Sequence, residues 1–284
     1  MPTNAPSRYA VIGHPVAHSQ SPFIHAAFAD QTGQAIDYSR IDCGAQGFRA
    51  AVQAFAASGA AGCNITVPFK FEALAAARRA SERAQLAGAA NVLVFDSDGW
   101  LADNSDGVGL RRDIEQGAAQ AIAGLRVLLV GAGGAAAGVL GPLLEAGPAE
   151  VVLVNRTAER ARVLAQRHAG LAAKTGTRLA AADIERPGSS FDLVINATAS
   201  SLQGAAVPIP AASLGPGALA VDLMYGQAAR PFLDWAERHG ARGRDGLGML
   251  VEQAAESFLL WRGVRPLTAP VYEALRAELA AEAG

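Results

Sequence analysis

The sequence is poor in cysteine, in aromatic residues and in net charge. Its 284 residues include two cysteines, 6% aromatic residues, and 24 Lys and Arg against 26 Asp and Glu. Two cysteines without the spacing of a zinc site are too few for a disulfide-stabilised scaffold. A charge balance near neutral argues against nucleic acid or an anionic membrane as the main partner, because either would favour a basic patch. With 51% apolar residues, the chain is expected to fold rather than stay disordered.

We also expect the sequence to contain neither a targeting segment nor a membrane segment. The first eight residues are polar and lack the apolar core of a secretory signal. Gly, Pro or a charge interrupts each apolar stretch well before the roughly 18 residues that a membrane helix needs. Because so few cysteines also suit a reducing compartment, we expect the protein to be cytoplasmic.

Short apolar runs alternate with longer Ala-rich helical patterns along the chain. Apolar runs of strand length, separated by helices, predict a parallel sheet that is covered on both faces. The βα pattern restarts after Asn104, so we predict two domains with a boundary near Asp106. From Leu247 onward the pattern is helical, and Pro266 and Pro270 divide it in two. The predicted strands are 9–13, 36–42, 62–67, 92–95, 100–102, 126–130, 151–155, 191–197 and 218–223.

The sharpest local signal lies in residues 126–139. An apolar strand ends at Gly131, and the glycines that follow allow a tight turn and close approach of the backbone to a ligand. The helix that begins there would offer free N–H groups and its positive dipole end to a pyrophosphate. An ordinary βα connection in a Gly-rich chain is the alternative interpretation. The predicted dinucleotide-binding positions in this turn are Gly131, Ala132, Gly133, Gly134 and Ala135.

The residues after the next strand distinguish between the two nicotinamide cofactors. An NAD site has a carboxylate there to hold the ribose hydroxyls. This chain instead has Asn155, Arg156 and Thr157, with Arg160 one helical turn beyond Arg156. Two guanidinium groups and a hydroxyl can hydrogen-bond a 2′-phosphate, which a carboxylate would repel. We therefore predict NADP as the cofactor, and a solvated arginine-rich helix face is the alternative.

Polar residues cluster in the first half where folding alone does not require them. Ser19 and Ser21 precede a predicted helix, where their hydroxyls and the free N–H groups could bind a carboxylate. Simple helix capping explains these serines equally well. A strand that ends in Asn64 and Thr66 is followed by Lys70, which is conspicuous because arginine supplies nearly all of the positive charge. A surface lysine is the alternative interpretation of Lys70.

Two further polar positions lie nearer the proposed domain boundary. Asn91 interrupts an apolar run before a strand, and Asp106 closes an acidic stretch that by itself is typical of a turn or a helix cap. His14, His18 and His25 lack a carboxylate at ligand spacing, so no metal site is predicted. The sequence also contains no nucleophile-elbow motif.

Taken together, these segments closely resemble the shikimate dehydrogenase family. The resemblance implies an α/β fold of two domains. Residues 1–106 would form a substrate-binding domain with a mainly parallel sheet, and residues 107–245 a Rossmann-type NADP-binding domain. Residues 246–284 would be helices that return to the substrate domain. The matching stretches lie in order and are 9–25, 62–70, 87–93, 103–109, 131–139, 155–157, 196–198, 222–225 and 245–254.

The resemblance also implies an activity and residue roles. Family members reduce the C3 ketone of 3-dehydroshikimate to shikimate with NADPH, a step of aromatic amino-acid biosynthesis. Lys70 and Asp106 match the catalytic pair. The positions that match substrate ligands are Ser19, Ser21, Asn64, Thr66, Asn91, Tyr225 and Gln253. Further matches to cofactor contacts are Thr198, Leu223, Gly246 and Met249.

Two other functions stay open at the level of sequence. One is a quinate/shikimate dehydrogenase with relaxed cofactor choice, which a carboxylate in place of Asn155-Arg156-Thr157 would have favoured. The other is a non-catalytic, NADP-binding regulatory protein on the same fold, against which the intact Lys70 and Asp106 argue. We expect a small-molecule substrate and a monomer or homodimer.

Overall fold

The computed structural model describes residues 5–44, 47–198 and 209–282. The chain divides into two compact units. One contains Met1–Gly109 and Val251–Gly284, and the other contains Leu110–Leu250. The limits at Gly109 and Leu250 each fall inside a helix, whereas the sequence pattern places the domain limits at residues 106 and 245.

The two units are built from twelve strands and ten α-helices within the described residues. The strands are β1 (Ser7–Gly13), β2 (Ile36–Asp42), β3 (Gly62–Ile65), β4 (Arg79–Ala80), β5 (Val92–Asp96), β6 (Gly99–Asp103), β7 (Arg126–Val130), β8 (Glu150–Val154), β9 (Arg178–Ala182), β10 (Phe191–Asn196), β11 (Leu214–Asp222) and β12 (Arg242–Arg244). The helices are α1 (Ser21–Thr32), α2 (Phe48–Ala57), α3 (Lys70–Ala76), α4 (Glu82–Ala87), α5 (Asp106–Arg112), α6 (Gly134–Glu145), α7 (Ala158–Thr175), α8 (Arg230–Arg238), α9 (Leu247–Arg262) and α10 (Ala269–Glu282).

The sheet of the first unit has the strand order β2-β1-β3-β5-β6-β4. Strands β2, β1 and β3 are parallel, whereas β5 runs antiparallel to both of its neighbours. The start of β5 therefore lies beside the ends of β3 and β6, and Val92 pairs with Asn64 on one side and Asp103 on the other. As a result, three segments meet at the same ends of neighbouring strands: those that follow β3 and β6, and the residue that precedes β5.

The second unit contains a sheet of six parallel strands in the order β12-β11-β10-β7-β8-β9. If these strands are numbered 1 to 6 along the chain and the sheet is read from β9 to β12, the order is 3-2-1-4-5-6, which is that of the Rossmann fold. Along β7, Val127 and Leu129 pack into one hydrophobic cluster, and Leu128 and Val130 pack into another. Burial of both faces explains why β7 reads as a continuous apolar run, and it confirms the predicted parallel sheet. The strand order reverses between β7 and β10, which is where such sheets bind ligands.

The sequence pattern missed three strands, all of which lie at sheet edges. Strands β4, β9 and β12 end their sheets and contain mainly Arg, Ala and Gly. An edge strand is less covered than a central one, so it lacks the apolar run that identifies buried strands. The predicted strand 62–67 was too long, because β3 ends at Ile65, three residues before Pro68.

No helix in the part of the chain that the structure describes has the length and apolar character needed to cross a bilayer.

Candidate active site

The loop between β1 and α1 brings two serine hydroxyls together. Ser19 Oγ donates a hydrogen bond to Ser21 Oγ at 3.2 Å and accepts one from the Ser21 N–H at 3.3 Å. Gln20 occupies the N-cap position of α1 and makes no side-chain cap, so neither serine is the N-cap residue, although Ser19 Oγ holds the N–H of the first helical residue. The Arg40 guanidinium holds the loop by donating two hydrogen bonds to the Ser19 carbonyl, at 2.9 and 2.6 Å. Two hydroxyls at a helix N-terminus can receive a carboxylate.

Lys70 and Asp106 form a largely buried ion pair in the first unit. Lys70 Nζ lies 2.5 Å from Asp106 Oδ2, and the two side chains are 15% and 5% exposed. Lys70 begins α3 and Asp106 begins α5, so both side chains are carried by the first turn of a helix. The contact removes the surface-lysine interpretation of Lys70.

Asn91 holds the second carboxylate oxygen of Asp106. Its Oδ1 accepts a hydrogen bond from the Ser105 N–H at 2.8 Å, and its Nδ2 donates to Asp106 Oδ1 at 2.9 Å. A backbone N–H only donates and a carboxylate only accepts, so these two partners fix the orientation of the amide. Asn91 Nδ2 also lies 3.2 Å from Gln253 Oε1 on α9. The structure thus brings together four of the predicted residues, Lys70, Asp106, Asn91 and Gln253.

The buried side chain of Asn64 lies next to this group, at the end of β3. Its Nδ2 donates to the Asn91 carbonyl at 3.2 Å and to Ser257 Oγ at 2.9 Å. Its Oδ1 accepts a hydrogen bond from Tyr38 Oη at 2.7 Å. Both N–H groups of Asn64 are therefore used within the protein, so Asn64 can meet a ligand only as an acceptor, through Oδ1.

The two remaining predicted substrate ligands lie in different units. Thr66 follows β3, its N–H donates to the Ile12 carbonyl at 3.0 Å, and its methyl group occupies the place that a side chain at Gly13 would need. Tyr225 belongs to the second unit, where it is half-buried and precedes a short 3-10 helix, Gly226–Ala229.

Three residues of the polar network were not singled out as ligands in the sequence. They are Tyr38 on β2, Ser105 and Ser257. Ser105 lies inside the acidic stretch that ends in Asp106, and Ser257 follows Gln253 by one helical turn, so their spacing was an available signal. Nothing in the sequence pattern relates Tyr38 to Asn64.

A salt-bridge network supports the segment that leads to Asp106. Arg83 donates to both carboxylate oxygens of Asp103, each at 2.6 Å, and to Glu256 Oε1 at 2.9 Å. Burial acts to raise the pKa of Asp103, but the Arg83 guanidinium outweighs that effect and holds the pKa below its usual value. The same balance of burial and Arg83 lowers the pKa of Glu256. Asp103 lies three residues before Asp106, so this network anchors the segment that carries Asp106.

The histidines of the first unit show no metal-binding arrangement. Burial lowers the pKa of His25 to about 3, and its neutral ring stacks on Tyr38 at 4.2 Å between ring centroids. Among the described residues, no group of three or more His, Cys, Asp or Glu side chains lies close enough to hold a metal ion.

In the second unit, the turn after β7 has the geometry of a dinucleotide site. Gly131 has φ 118°, and a Cβ there would lie 3.0 Å from the Ala197 carbonyl and 3.3 Å from the Thr198 methyl. Glycine is therefore required both by the backbone conformation and by the contact with the segment after β10. Gly133 precedes α6, which no side chain caps, and space is open where its side chain would be. The N–H groups of α6 can thus meet a phosphate.

The end of β8 carries positive side chains and no carboxylate. Arg156 and Arg160 are exposed, and neither forms an ion pair within the described ranges. Asn155 Nδ2 donates to the Thr157 carbonyl at 2.9 Å, which fixes the turn into α7. Arg162, in contrast, pairs with Glu159 at 3.0 Å. Two guanidinium groups with no ion-pair partner among the described residues suit a phosphate ester.

The remaining predicted cofactor contacts also lie in the second unit. The N–H and hydroxyl of Thr198 both donate to Asn196 Oδ1, the hydroxyl at 2.7 Å. Gly246 packs so closely on the Leu223 carbonyl that a Cβ would collide with it, which explains the glycine. Met249 is buried in the hydrophobic cluster beside β7, in the first turn of α9.

Family models match most of the chain. The model for the shikimate dehydrogenase substrate binding domain matches residues 11–93, and the model for shikimate / quinate 5-dehydrogenase matches residues 113–204. A third model, the shikimate 5'-dehydrogenase C-terminal domain, matches residues 246–276.

Similar proteins cover nearly the full length. The shikimate dehydrogenase (NADP(+)) of Acidovorax sp. (strain JS42) is 61% identical over 281 residues, which are 99% of this chain and 100% of that protein. The structure of an Ael1 enzyme from Pseudomonas putida is 47% identical, with a TM-score of 0.87, covering 95% of this chain and 98% of that one. The structure of shikimate 5-dehydrogenase from Thermus thermophilus in complex with NADP(H) and shikimate is 32% identical, with a TM-score of 0.80, covering 95% and 99%.

Proposed function

The chain belongs to the shikimate dehydrogenase family, and we propose that it is an oxidoreductase that interconverts 3-dehydroshikimate and shikimate with NADP. The main structural support for a catalytic function is the buried pair of Lys70 and Asp106. These side chains lie 2.5 Å apart and are bordered by Asn91 and Gln253. A protein that only binds the cofactor would not need this ion pair. The pair therefore favours an enzyme over a regulatory protein.

The proposed chemistry assigns separate tasks to the two members of the pair. Reduction of the C3 carbonyl places negative charge on its oxygen, so a donor must stand beside that oxygen. The Lys70 ammonium stabilises this charge and gives up a proton to it. Asp106 holds Lys70 in place, and its other oxygen is already held by Asn91.

The first unit is proposed to bind the substrate. Ser19 and Ser21 would receive the carboxylate, with Thr66 assisting. Asn91, Asp106 and Gln253 would hold the ring hydroxyls. Both N–H groups of Asn64 already donate to Asn91 and Ser257, so we assign Asn64 the role of an acceptor for a substrate hydroxyl.

The second unit is proposed to hold NADP, and its residues fit that group. The open turn at Gly131–Ala135 and the start of α6 suit the pyrophosphate, and Arg156 and Arg160 suit the 2′-phosphate. Thr198, Leu223, Gly246 and Met249 would contact the nicotinamide half. When bound, NADPH supplies the hydride for the reduction.

A cytoplasmic location completes the proposal. The two cysteines, Cys43 and Cys63, are both unpaired and buried, which suits a reducing compartment. We propose that the enzyme is a monomer or a homodimer that needs no macromolecular partner for its activity.

Turnover assays separate the candidate functions. We expect NADPH to form when the purified protein is given shikimate and NADP+, because the Lys70–Asp106 pair and the arginines after β8 are both present. Absorbance at 340 nm measures the reduced cofactor that forms. Shikimate and quinate are each tested with NADP+ and with NAD+. Faster turnover of quinate, or equal use of NAD+, would favour the quinate/shikimate alternative. A folded protein that turns over neither substrate would contradict the dehydrogenase function.

Arg156 is expected to determine the choice of cofactor. The Arg156→Ala substitution should raise the KM for NADP+ by about tenfold or more and leave the KM for NAD+ nearly unchanged, because one charge-assisted contact to the phosphate is lost. The matched control is Arg162→Ala on the same helix, whose arginine already pairs with Glu159. If Arg156→Ala changes the KM of both cofactors equally, Arg156 does not contact the 2′-phosphate.

A further inference from the structure

Ser257 is a fully buried hydroxyl where three segments of the substrate site meet. It lies on α9, and its neighbours come from the end of β3, from the segment before α5 and from α9 itself. We propose that Ser257 is a positioning residue, which fixes the amide of Asn64 and the network around Asn91 and Gln253 so that these side chains are ready for the substrate hydroxyls. The inference rests on the proposed function.

The hydrogen bonds of Ser257 leave no freedom in its own hydroxyl. Ser257 Oγ donates to the Gln253 carbonyl one turn earlier, at 3.0 Å. Since a hydroxyl has one proton, Oγ can only accept from its other neighbours. It accepts from Asn64 Nδ2 at 2.9 Å and lies 3.3 Å from Ser105 Oγ. Ser257 is thus a fixed acceptor for two side chains from other segments.

This acceptor is one of three partners that fix the orientation of the Asn64 amide. Asn64 Nδ2 also donates to the Asn91 carbonyl, and its Oδ1 receives the Tyr38 hydroxyl. Without Ser257 Oγ, one N–H of Asn64 would be buried with no acceptor, which disfavours the present orientation of the amide. A rotated amide would then present an N–H in place of the Oδ1 lone pair that is proposed to meet a substrate hydroxyl.

Ser257 Oγ is also one of three acceptors within reach of the Ser105 proton. Ser105 Oγ lies 3.3 Å from each of Ser257 Oγ, Asn91 Oδ1 and Gln253 Oε1. Ser105 Oγ also accepts a hydrogen bond from Asn91 Nδ2 at 2.9 Å, and when its own proton goes to Ser257 Oγ, both amide oxygens are left to other donors. Loss of that acceptor turns the Ser105 proton toward Asn91 or Gln253, two proposed substrate ligands. The ion pair of Lys70 and Asp106 makes no contact with Ser257, so substrate binding is expected to suffer more than the chemical step.

Steady-state kinetics of the full-length enzyme test this proposal. Ser257→Ala and Ser257→Cys should each raise the KM for shikimate by about tenfold, the size expected for one buried hydrogen bond, because a thiol is a poor acceptor. We expect kcat and the KM for NADP+ to change by less than about threefold. Ser257→Thr restores the hydroxyl and should return the KM for shikimate to within about threefold of the unsubstituted enzyme.

A buried serine in the other unit provides the control. Ser213 is fully buried and its hydroxyl has no hydrogen-bond partner within the described residues, so Ser213→Ala should leave both KM values unchanged. If the Ser257 variants lose only thermal stability and active fraction while the KM for shikimate stays the same, Ser257 is merely structural and the proposal is wrong. An unsubstituted enzyme that is inactive on shikimate would instead contradict the proposed function, on which this inference depends.

Discussion

The Lys70→Ala enzyme is expected to have a kcat about 10²- to 10³-fold below that of the unsubstituted enzyme, the scale of lost acid–base assistance. Lys70 is the positive partner of the buried Asp106, at 2.5 Å, so the substitution removes both the proton donor and the charge that would stabilise the developing alkoxide. The KM for NADP+ should stay within about twofold, because the cofactor residues lie in the other unit. Initial rates with saturating shikimate and NADP+ measure the effect.

Two further lysine substitutions serve as controls for the Lys70→Ala enzyme. Lys174 is exposed on the last turn of α7, and Lys174→Ala should leave kcat unchanged. Lys70→Arg keeps the positive charge, but a guanidinium does not give up its proton, so recovery of kcat by this variant would show that charge rather than proton transfer matters. A kcat of Lys70→Ala within about threefold of the starting enzyme would remove Lys70 from the mechanism.

The Arg83→Met substitution is expected to lower the free energy of unfolding by about 3 kcal/mol, because it leaves the buried Asp103 carboxylate without its cation. Arg83 also loses its contact with Glu256, which belongs to the C-terminal helices. Urea denaturation measures the difference. Arg79→Met is the matched control: its pair with Asp96 is exposed, 42% and 39%, so this substitution should lower the free energy of unfolding far less.

The effect of Arg83 should depend on pH in a defined direction. The pKa values of Asp103 and Glu256 are lowered in the folded protein, so their pairs with Arg83 stabilise it above the unfolded pKa of about 4. That stability is lost as the pH falls through the lower, folded pKa values. The difference in stability between Arg83→Met and the starting protein should therefore be full at pH 7 and shrink below about pH 4. A difference that stays constant down to pH 3 would contradict the assignment.

Local sequence patterns predicted those parts of the molecule that local chemistry determines. The apolar runs of β7, β8 and β10 identified a parallel sheet because strands buried on both faces need no polar residues. The turn at Gly131 was recognisable because its positive φ and its contact with Ala197 require glycine. Edge strands such as β9 were not predicted, because they are not buried enough to need an apolar run.

The orientation of the site's amides could not be predicted in the same way. Asn64 owes its direction to Tyr38, 26 residues earlier, and to Ser257, 193 residues later. Asn91 depends in the same manner on the Ser105 backbone and on Asp106. Such hydrogen bonds exist only after β3, β5 and β6 have brought their ends to one edge of the sheet, so no pattern within a short window reports them.

The hydrogen bonds of Asn64 have a consequence for inhibitor design. Because both of its N–H groups are already engaged, Asn64 can only accept, and a carbonyl or ether oxygen placed against it would face another acceptor and lose a hydrogen bond on leaving water. A hydroxyl or amino group at the same point would instead donate to Oδ1. Synthetic compounds for this pocket should therefore present a donor toward the end of β3 and keep their acceptors for Ser19 and Ser21.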